Sequence, residues 1–180
     1  FVYPGLAGAA CFFSRDGVVV ESAPATTESS SAATCPSPAS AAVGRYHLAI
    51  SLNGVSPEPN RLGVLTFDVY SLSSVIVDKL TPPGGPLGEA TAVTLSGAGF
   101  ADYGIGQLSC IMDGARVEAL CLDGTRLLCT LPTSPVARTA SVAVSLNGGA
   151  SGTLSLQQLP YVYYAQPRLD SVSPSQGSAS

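Results

Sequence analysis

The chain of 180 residues has no tryptophan, one histidine and one methionine, and only 11% of its residues are charged. So few imidazole and indole groups leave little material for acid–base catalysis or for stacking on bases and sugars. Its 8 basic and 12 acidic residues give a net charge of −4, and no basic run is present. Nucleic acid binding therefore lacks an electrostatic basis.

Long apolar runs are missing as well, since no stretch approaches the roughly 18 consecutive apolar residues that span a bilayer. The start, Phe1-Val2-Tyr3-Pro4, has neither an initiator methionine nor the layout of a signal peptide. We therefore interpret the chain as part of a longer protein and expect any membrane attachment from segments outside it. Hydrophobic residues make up 46% of the chain, which is enough for a sizeable core.

Short strings of residues recur along the chain at nearly one spacing, just over ninety positions, which is the size of a small β-sandwich. Ser51-Leu52-Asn53-Gly54 returns as Ser145-Leu146-Asn147-Gly148 at an offset of 94. The other matches are Cys35-Pro36-Ser37-Pro38 with Cys129-Thr130-Leu131-Pro132, Val69-Tyr70 with Val162-Tyr163, and 80–84 with 172–177.

These repeats predict the domain organisation. Phe1 precedes Cys11 by ten residues, as Phe100 precedes Cys110, and nothing before Phe1 matches 80–99. We predict a domain lacking its first strands at 1–74, a complete domain at 75–166 and the start of a third repeat at 167–180.

Alternation of period two, without any sustained helical pattern, predicts an all-β fold. Tyr46, Leu48, Ile50 and Leu52 share one strand face, and the second copy has Ala140, Val142, Val144 and Leu146 at the same places. Asn-Gly after each strand predicts a short turn. The returning strands are expected at 63–70 and at 152–156, the latter running on to 161–164.

Between Glu21 and Thr34 the chain consists almost wholly of small and hydroxyl residues. The matching stretch of the second copy, Glu118 to Leu128, is shorter and more apolar, so we expect a low-complexity loop inserted in the first copy. Its Ser/Thr density beside Pro24 permits O-glycosylation in a secreted protein, and a plain flexible loop is equally consistent with the sequence.

Five cysteines admit disulfides, a metal site or free thiols. The repeat aligns Cys11 and Cys35 with Cys110 and Cys129, so each copy has one pair. A single histidine and the lack of a C-x-x-C pair argue against zinc. We favour two disulfides over reduced thiols, which implies an oxidising compartment. Cys121 is expected to be unpaired and buried; partnership with Cys110, Cys129 or a cysteine elsewhere stays open.

Taken together, these residues resemble the IPT/TIG domain, an immunoglobulin-like β-sandwich of plexins, Met-like receptors, fibrocystin-like surface proteins and certain transcription factors. The resemblance implies tandem immunoglobulin-like β-sandwiches. It is carried by 80–88, 92–100, 110–114, 129–132, 142–149 and 161–164 in the second copy, and by 35–38, 43–54 and 67–70 in the first.

No catalytic residue, metal site or cofactor is predicted. His47 lies on the polar face of its strand with no triad motif nearby, so a surface histidine is expected. Asp113-Gly114 and Asp123-Gly124 favour hairpin turns over calcium loops. Tyr70, Tyr161, Tyr163 and Tyr164 are interpreted as strand residues near the domain junction, some of them exposed at an interaction surface.

The favoured function is a non-enzymatic structural and interaction module of a multi-repeat secreted or cell-surface protein, the surface of a cilium or flagellum included. It would mediate adhesion, spacing or assembly with other proteins, further repeats or its own copies. An alternative is a cytoplasmic filamin-like scaffold with reduced cysteines. An accessory carbohydrate-binding part of a secreted enzyme is less favoured without tryptophan.

Overall fold

The computed structural model describes residues 8–39, 41–55, 65–104, 106–150 and 152–178. Its regular elements within these ranges are β-strands and one 3₁₀ turn, Leu72–Ser74, which confirms the all-β prediction. The chain divides into two compact units, Phe1–Ser71 and Leu72–Ser180.

The first unit contains a four-stranded antiparallel sheet and a small hairpin. Its strands are β1 (Ala10–Arg15), β2 (Val18–Pro24), β3 (Thr26–Thr27), β4 (Ala33–Thr34), β5 (Gly44–Ser51) and β6 (Leu65–Val69). The sheet order is β2–β1–β5–β6, and β3 pairs with β4. The first two residues of the predicted strand 63–70 lie outside the described residues.

One face of this sheet forms the core of the first unit. Cys11, Phe13 and Tyr46 are buried there, with Leu48 and Ile50 packed against them, as the alternation predicted. Leu52, expected on the same face, is exposed because β5 ends at Ser51 and the chain turns away.

The second unit is an immunoglobulin-like sandwich. Its strands are β7 (Ile76–Thr81), β8 (Gly84–Pro86), β9 (Thr91–Ala98), β10 (Ser109–Met112), β11 (Ala115–Asp123), β12 (Arg126–Leu131), β13 (Arg138–Ser145) and β14 (Leu159–Tyr164). They follow the order β7–β9–β12–β11–β10–β13–β14–β8. β11 pairs with β10 through residues 115–118 and with β12 through 119–123, so it passes from one layer to the other.

Side chains from both layers fill the interior of the sandwich. All of the following are 2% exposed or less: Val77, Val93, Leu95, Leu127, Leu131, Val142, Val144, Leu146, Tyr161 and Tyr163. Packing of this apolar area between the layers is the main stabilising contribution to the fold.

The pairing of strands in the first unit recurs in the second. Cys11 lies opposite Ile50 as Cys110 lies opposite Val144. Gly44 lies opposite Val69 as Arg138 lies opposite Tyr163. Val69 therefore corresponds to Tyr163, and the sequence alignment of Val69-Tyr70 with Val162-Tyr163 is one residue out of register. Such a slip exchanges the inner and outer faces of a strand.

The insertion predicted within 21–34 lies elsewhere. Thr26 pairs with Thr34, so the next residues outward, Ala25 and Cys35, lie opposite each other. In the second unit Ala119 pairs with Cys129. The β3–β4 hairpin and the β11–β12 hairpin are therefore equal in length up to the cysteine. The extra residues lie in the turn between β1 and β2, where Phe13 pairs with Glu21 whereas Met112 pairs with Ala115. The first unit thus carries a longer β1–β2 hairpin with a bulge, rather than a longer loop.

In the second unit the predicted strand at 152–156 is wrong, as is the short turn predicted at Asn147-Gly148; the residues that follow Asn53-Gly54 at 56–64 lie outside the described residues. Between Ser145 and β14 the structure has a loop with a single bridge, Ser145 to Leu154. Asn147-Gly148 does turn the chain, but the Gly148 N–H donates to the Gln107 carbonyl at 2.6 Å. This bond holds the turn beside the start of β10, so the chain reaches β14 only after a longer connection.

Candidate interaction surface

Both predicted disulfides are present, one in each unit. Cys11 of β1 is bonded to Cys35, 24 residues later, with the Cα atoms 6.2 Å apart. Cys110 of β10 is bonded to Cys129 of β12, 19 residues later, at a Cα separation of 6.4 Å. The second bridge joins the two layers of the sandwich on either side of β11.

Cys121, on β11, has a free thiol that is half-buried. Its Sγ donates to the Asp123 carbonyl at 3.5 Å. Burial raises the pKa of this thiol, and the negative charges of Asp102 and Asp123 raise it further. A raised pKa disfavours the thiolate, so the surroundings do not activate Cys121 as a nucleophile.

The four tyrosines proposed for an interaction surface separate into two groups. The prediction of a surface position is wrong for Tyr161 and Tyr163, since they are 0% and 2% exposed. Their rings pack edge to face with the ring centroids 5.0 Å apart. The Tyr163 hydroxyl donates to the Pro132 carbonyl, and burial raises its pKa. Tyr164, on the opposite face of β14, is 44% exposed, and Tyr70 is half-buried.

The Asp113-Gly114 turn between β10 and β11 fixes a network of charged and polar groups. The Asp113 carboxylate accepts the Ser141 N–H at 2.8 Å and the Arg138 guanidinium. The Ser141 N–H, followed by the Arg138 hydrogen bond, lowers the pKa of Asp113. This carboxylate is therefore engaged in joining a hairpin to β13, as expected of a turn residue rather than of a calcium ligand.

Asp123 has a comparable role in the β11–β12 hairpin. Its carboxylate accepts the Thr125 hydroxyl at 2.7 Å and the Arg126 guanidinium at 2.7 Å. The Thr125 hydroxyl, then Arg126, lowers the pKa of Asp123 far below its usual range. Both Asp-Gly pairs thus stabilise turns.

His47 is exposed on β5, opposite Ser14 and Thr66. In the part of the chain that the structure describes, no group of three or more His, Cys, Asp or Glu side chains is placed to hold a metal ion. No helix among those residues has the length and apolar character needed to cross a bilayer.

Three consecutive exposed apolar residues of the first unit lie on the β1–β2 hairpin, apart from single exposed residues such as Val43, Val55 and Leu65. Val18, Val19 and Val20 are 63%, 43% and 51% exposed, and β2 is an edge strand of its sheet. Edge strands of natural proteins are commonly protected by charged residues, prolines or bulges. Here a bulge lies beside the valines and Pro24 ends the strand, but residues 18–20 themselves carry no charge.

Sequence reasoning missed this surface. Three consecutive β-branched residues after Asp16-Gly17 were its signal, because they indicate a strand that is apolar on both faces. We call residues 14–20 the extended hairpin. Leu120 and Leu122, exposed on β11, form a smaller apolar surface in the second unit.

Comparisons with known proteins agree with this architecture. The family model of the IPT/TIG domain matches residues 76–163. Curated protein sequences gave no match. Among solved structures, the full extracellular region of plexin A4 is similar over 94% of this chain and 13% of its own, with 15% identity and a TM-score of 0.50.

Two further structures are more distant. A second crystal form of the plexin A4 extracellular region matches 89% of this chain and 22% of its own, at 12% identity and a TM-score of 0.39. SGBP-B of a mixed-linkage glucan utilization locus of Bacteroides ovatus matches 87% of this chain and 39% of its own, at 12% identity and a TM-score of 0.36. The chain therefore spans well under half of each structure. The two-layered sheet, the disulfide between its layers and the family match together identify residues 76–163 as an IPT/TIG domain.

Proposed function

We propose that this chain is a structural and interaction module, built of consecutive IPT/TIG repeats, within a larger secreted or cell-surface protein. The observation that carries the proposal is the shared register of the two units. Cys11 pairs with Ala23 on one side and with Ile50 on the other. Cys110 pairs in the same way with Val117 and Val144. Unrelated sheets have no reason to share both a register and a disulfide position.

The first unit is, on this proposal, an IPT/TIG repeat in which one layer is the four-stranded sheet and the other is represented, among the described residues, only by the β3–β4 hairpin. Leu48, Ile50, Phe67 and Val69 are only partly buried, whereas their counterparts Val142, Val144, Tyr161 and Tyr163 are fully covered. In the second unit β7 and β9 belong to the layer that covers those positions. The predicted domains 1–74 and 75–166, followed by the start of a repeat at 167–180, fit this arrangement.

The third repeat is supported by an exposed segment after β14. Leu169-Asp170-Ser171-Val172-Ser173-Pro174 repeats the pattern of Val77-Asp78-Lys79-Leu80-Thr81-Pro82. Val77 and Leu80 are buried in the sandwich, but Leu169 and Val172 are exposed. An exposed segment that has this apolar pattern but forms no strand with the second unit is expected at the start of a further repeat.

The secreted or cell-surface location rests on the disulfides, which form and persist in oxidising compartments. Peptide mapping of the native protein without reduction tests it, together with labelling of intact cells by a reagent that does not cross membranes. We expect bridged Cys11–Cys35 and Cys110–Cys129 peptides and surface label. Reduced cysteines with no surface label would instead support a cytoplasmic filamin-like scaffold.

Assembly is proposed to use the extended hairpin, whose edge strand β2 can accept a strand from another copy. Replacement of Val19 by Lys places a charge on this edge, and His47→Lys places the same charge on β5, in the middle of the sheet. Beads coated with the chain should aggregate, the V19K chain should not, and H47K should behave like the unchanged chain. Equal behaviour of all three would contradict assembly through β2.

A further inference from the structure

Seven hydroxyl side chains cluster on the β3–β4 hairpin and the residues after it. We call residues 26–37 the hydroxyl hairpin. Every one of these side chains is exposed: Thr26, Thr27, Ser29, Ser30, Ser31, Thr34 and Ser37. Their hydroxyl contacts are weak and local, such as Ser29 to Ser31 at 3.3 Å and Thr34 to the Thr26 carbonyl at 3.5 Å. A modifying enzyme would reach them without disturbing the core.

The backbone of this segment is also accessible. β3 and β4 have two residues each, and the tip is closed by hydrogen bonds from the Glu28 and Ser29 N–H groups to the Ala32 carbonyl. Pro24 precedes β3 and Pro36 follows β4, and both prolines favour extended conformations of the chain around them. Residues 26–34, which precede the disulfide-bonded Cys35, have no large apolar side chain, so this part of the hydroxyl hairpin opens at little cost and fits into an enzyme cleft.

The second unit provides an internal comparison. Its β11–β12 hairpin has the same length up to the disulfide cysteine: residues 25–35 contain six hydroxyls, whereas the matching residues 119–129 contain one, that of Thr125. This hydroxyl donates to Asp123 at 2.7 Å and is part of the turn. Two hairpins in one structural position therefore differ in chemistry, and the fold does not require hydroxyls at these six places.

From these observations we propose that the hydroxyl hairpin is an O-glycosylation site whose first sugar is an N-acetylhexosamine supplied by a UDP-sugar. In the reaction a Ser or Thr hydroxyl oxygen forms a bond to the anomeric carbon. The bond from that carbon to the diphosphate breaks, UDP leaves, and the hydroxyl proton passes to a base of the transferase or to the leaving group. In the cell this inference rests on the proposed secretory location of the chain.

The test uses the whole oxidised chain, UDP-N-acetylgalactosamine and a purified polypeptide N-acetylgalactosaminyltransferase, followed by intact mass measurement and fragmentation that retains sugars. We expect N-acetylhexosamine within residues 26–37 and none at Thr125. Alanine at all seven hydroxyl positions should abolish this incorporation while both disulfides still form. Alanine at Ser171, Ser173, Ser175 and Ser178, in the other exposed Ser-rich segment, should leave it unchanged.

An unmodified hydroxyl hairpin, or sugar confined to other segments, would overturn the inference. The same peptide from native protein should carry N-acetylhexosamine, whereas phosphate in its place would also overturn it. Because the transferase reaction is carried out on purified chain, it does not depend on cell location. Its failure is therefore distinguishable from reduced cysteines and absent surface label, which would contradict the proposed function instead.

Discussion

The Asp113 carboxylate accepts the Ser141 N–H at 2.8 Å and so joins the β10–β11 turn to β13. Asp113 has φ 47°, a left-handed conformation that Asn also tolerates. Asp113→Asn therefore keeps the turn and an acceptor oxygen while removing the charge that pairs with Arg138. The side chain of Asp113 is 39% exposed, so solvent screens this pair.

We expect Asp113→Asn to lower the free energy of unfolding by about 1 kcal/mol at neutral pH. Since the folded pKa of Asp113 lies below the ordinary 3.8, its contribution is present above that value and is lost as pH falls through the lowered pKa. The difference in the free energy of unfolding between the variant and the unchanged chain should therefore shrink below about pH 4. Urea unfolding followed by tyrosine fluorescence measures it. Asp170→Asn, on the exposed segment after β14, is the control.

The buried tyrosine pair gives a second prediction. The Tyr161 hydroxyl is buried and has no hydrogen-bond partner among the residues that the structure describes, whereas that of Tyr163 donates to the Pro132 carbonyl. Tyr161→Phe should be neutral or stabilising, because an unsatisfied polar group is removed. Tyr163→Phe should cost about 1 kcal/mol because the carbonyl loses its donor. Thermal unfolding of the two variants checks this, and equal effects would show that the hydroxyls have equivalent surroundings.

Loss of the bridge between the layers should weaken the second unit. Closing a loop of this length is worth about 3 kcal/mol in the chain-entropy model. We expect the double change Cys110→Ala and Cys129→Ala to reduce unfolding stability by about that amount. Cys121→Ala, which leaves both bridges intact, should have a smaller effect. A double variant as stable as the C121A chain would contradict a structural role for the bridge.

The thiol of Cys121 should react slowly with alkylating reagents. Burial and the charges of Asp102 and Asp123 raise its pKa. The rate at which iodoacetamide modifies the oxidised chain should therefore increase at a higher pH than the rate for free cysteine does. Asp102→Asn should shift the profile toward lower pH, since it removes one unfavourable charge. An unshifted profile would exclude Asp102 as a cause.

A close backbone contact makes Gly97 sensitive to substitution. A Cβ at this position would lie 1.9 Å from the Ile76 carbonyl oxygen, on the neighbouring strand β7. We expect Gly97→Ala to destabilise the sandwich by about 2 kcal/mol or more through strain between β7 and β9. Gly177→Ala, where a Cβ meets nothing within 4 Å, is the matched control. Urea unfolding of both variants measures the difference, and equal midpoints would contradict the close approach.

Much of the fold follows from local sequence features. Period-two alternation predicts the all-β class, and the recurring Ser-Leu-Asn-Gly and Cys-Pro strings identify structurally matching positions in the two units. Ser51 and Ser145 each donate to the asparagine two residues later, at 2.6 and 3.2 Å. The cysteine pairs were accessible to the same reasoning, since each copy holds one pair at a comparable separation.

The candidate surface was harder to predict. Alternation shows that Tyr161 and Tyr163 share a face opposite Tyr164, but it does not show which face is covered. Only the second layer, whose strands are distant in sequence, decides that Tyr161 and Tyr163 are buried. Residues 25–35 resembled part of an insertion because their composition differs from that of 119–129, although the strand register shows that the two stretches are equal in length.

The sequence by itself therefore determined the strand class, the matching positions in the two units and the favoured cysteine pairs, because these depend on periodicity and spacing along the chain. Tertiary structure alone decided that β11 passes between layers, that the extra residues form the extended hairpin and that Tyr161 and Tyr163 belong to the core. Each of these properties depends on pairing between distant strands, whose register is set by which apolar face finds a partner to cover it.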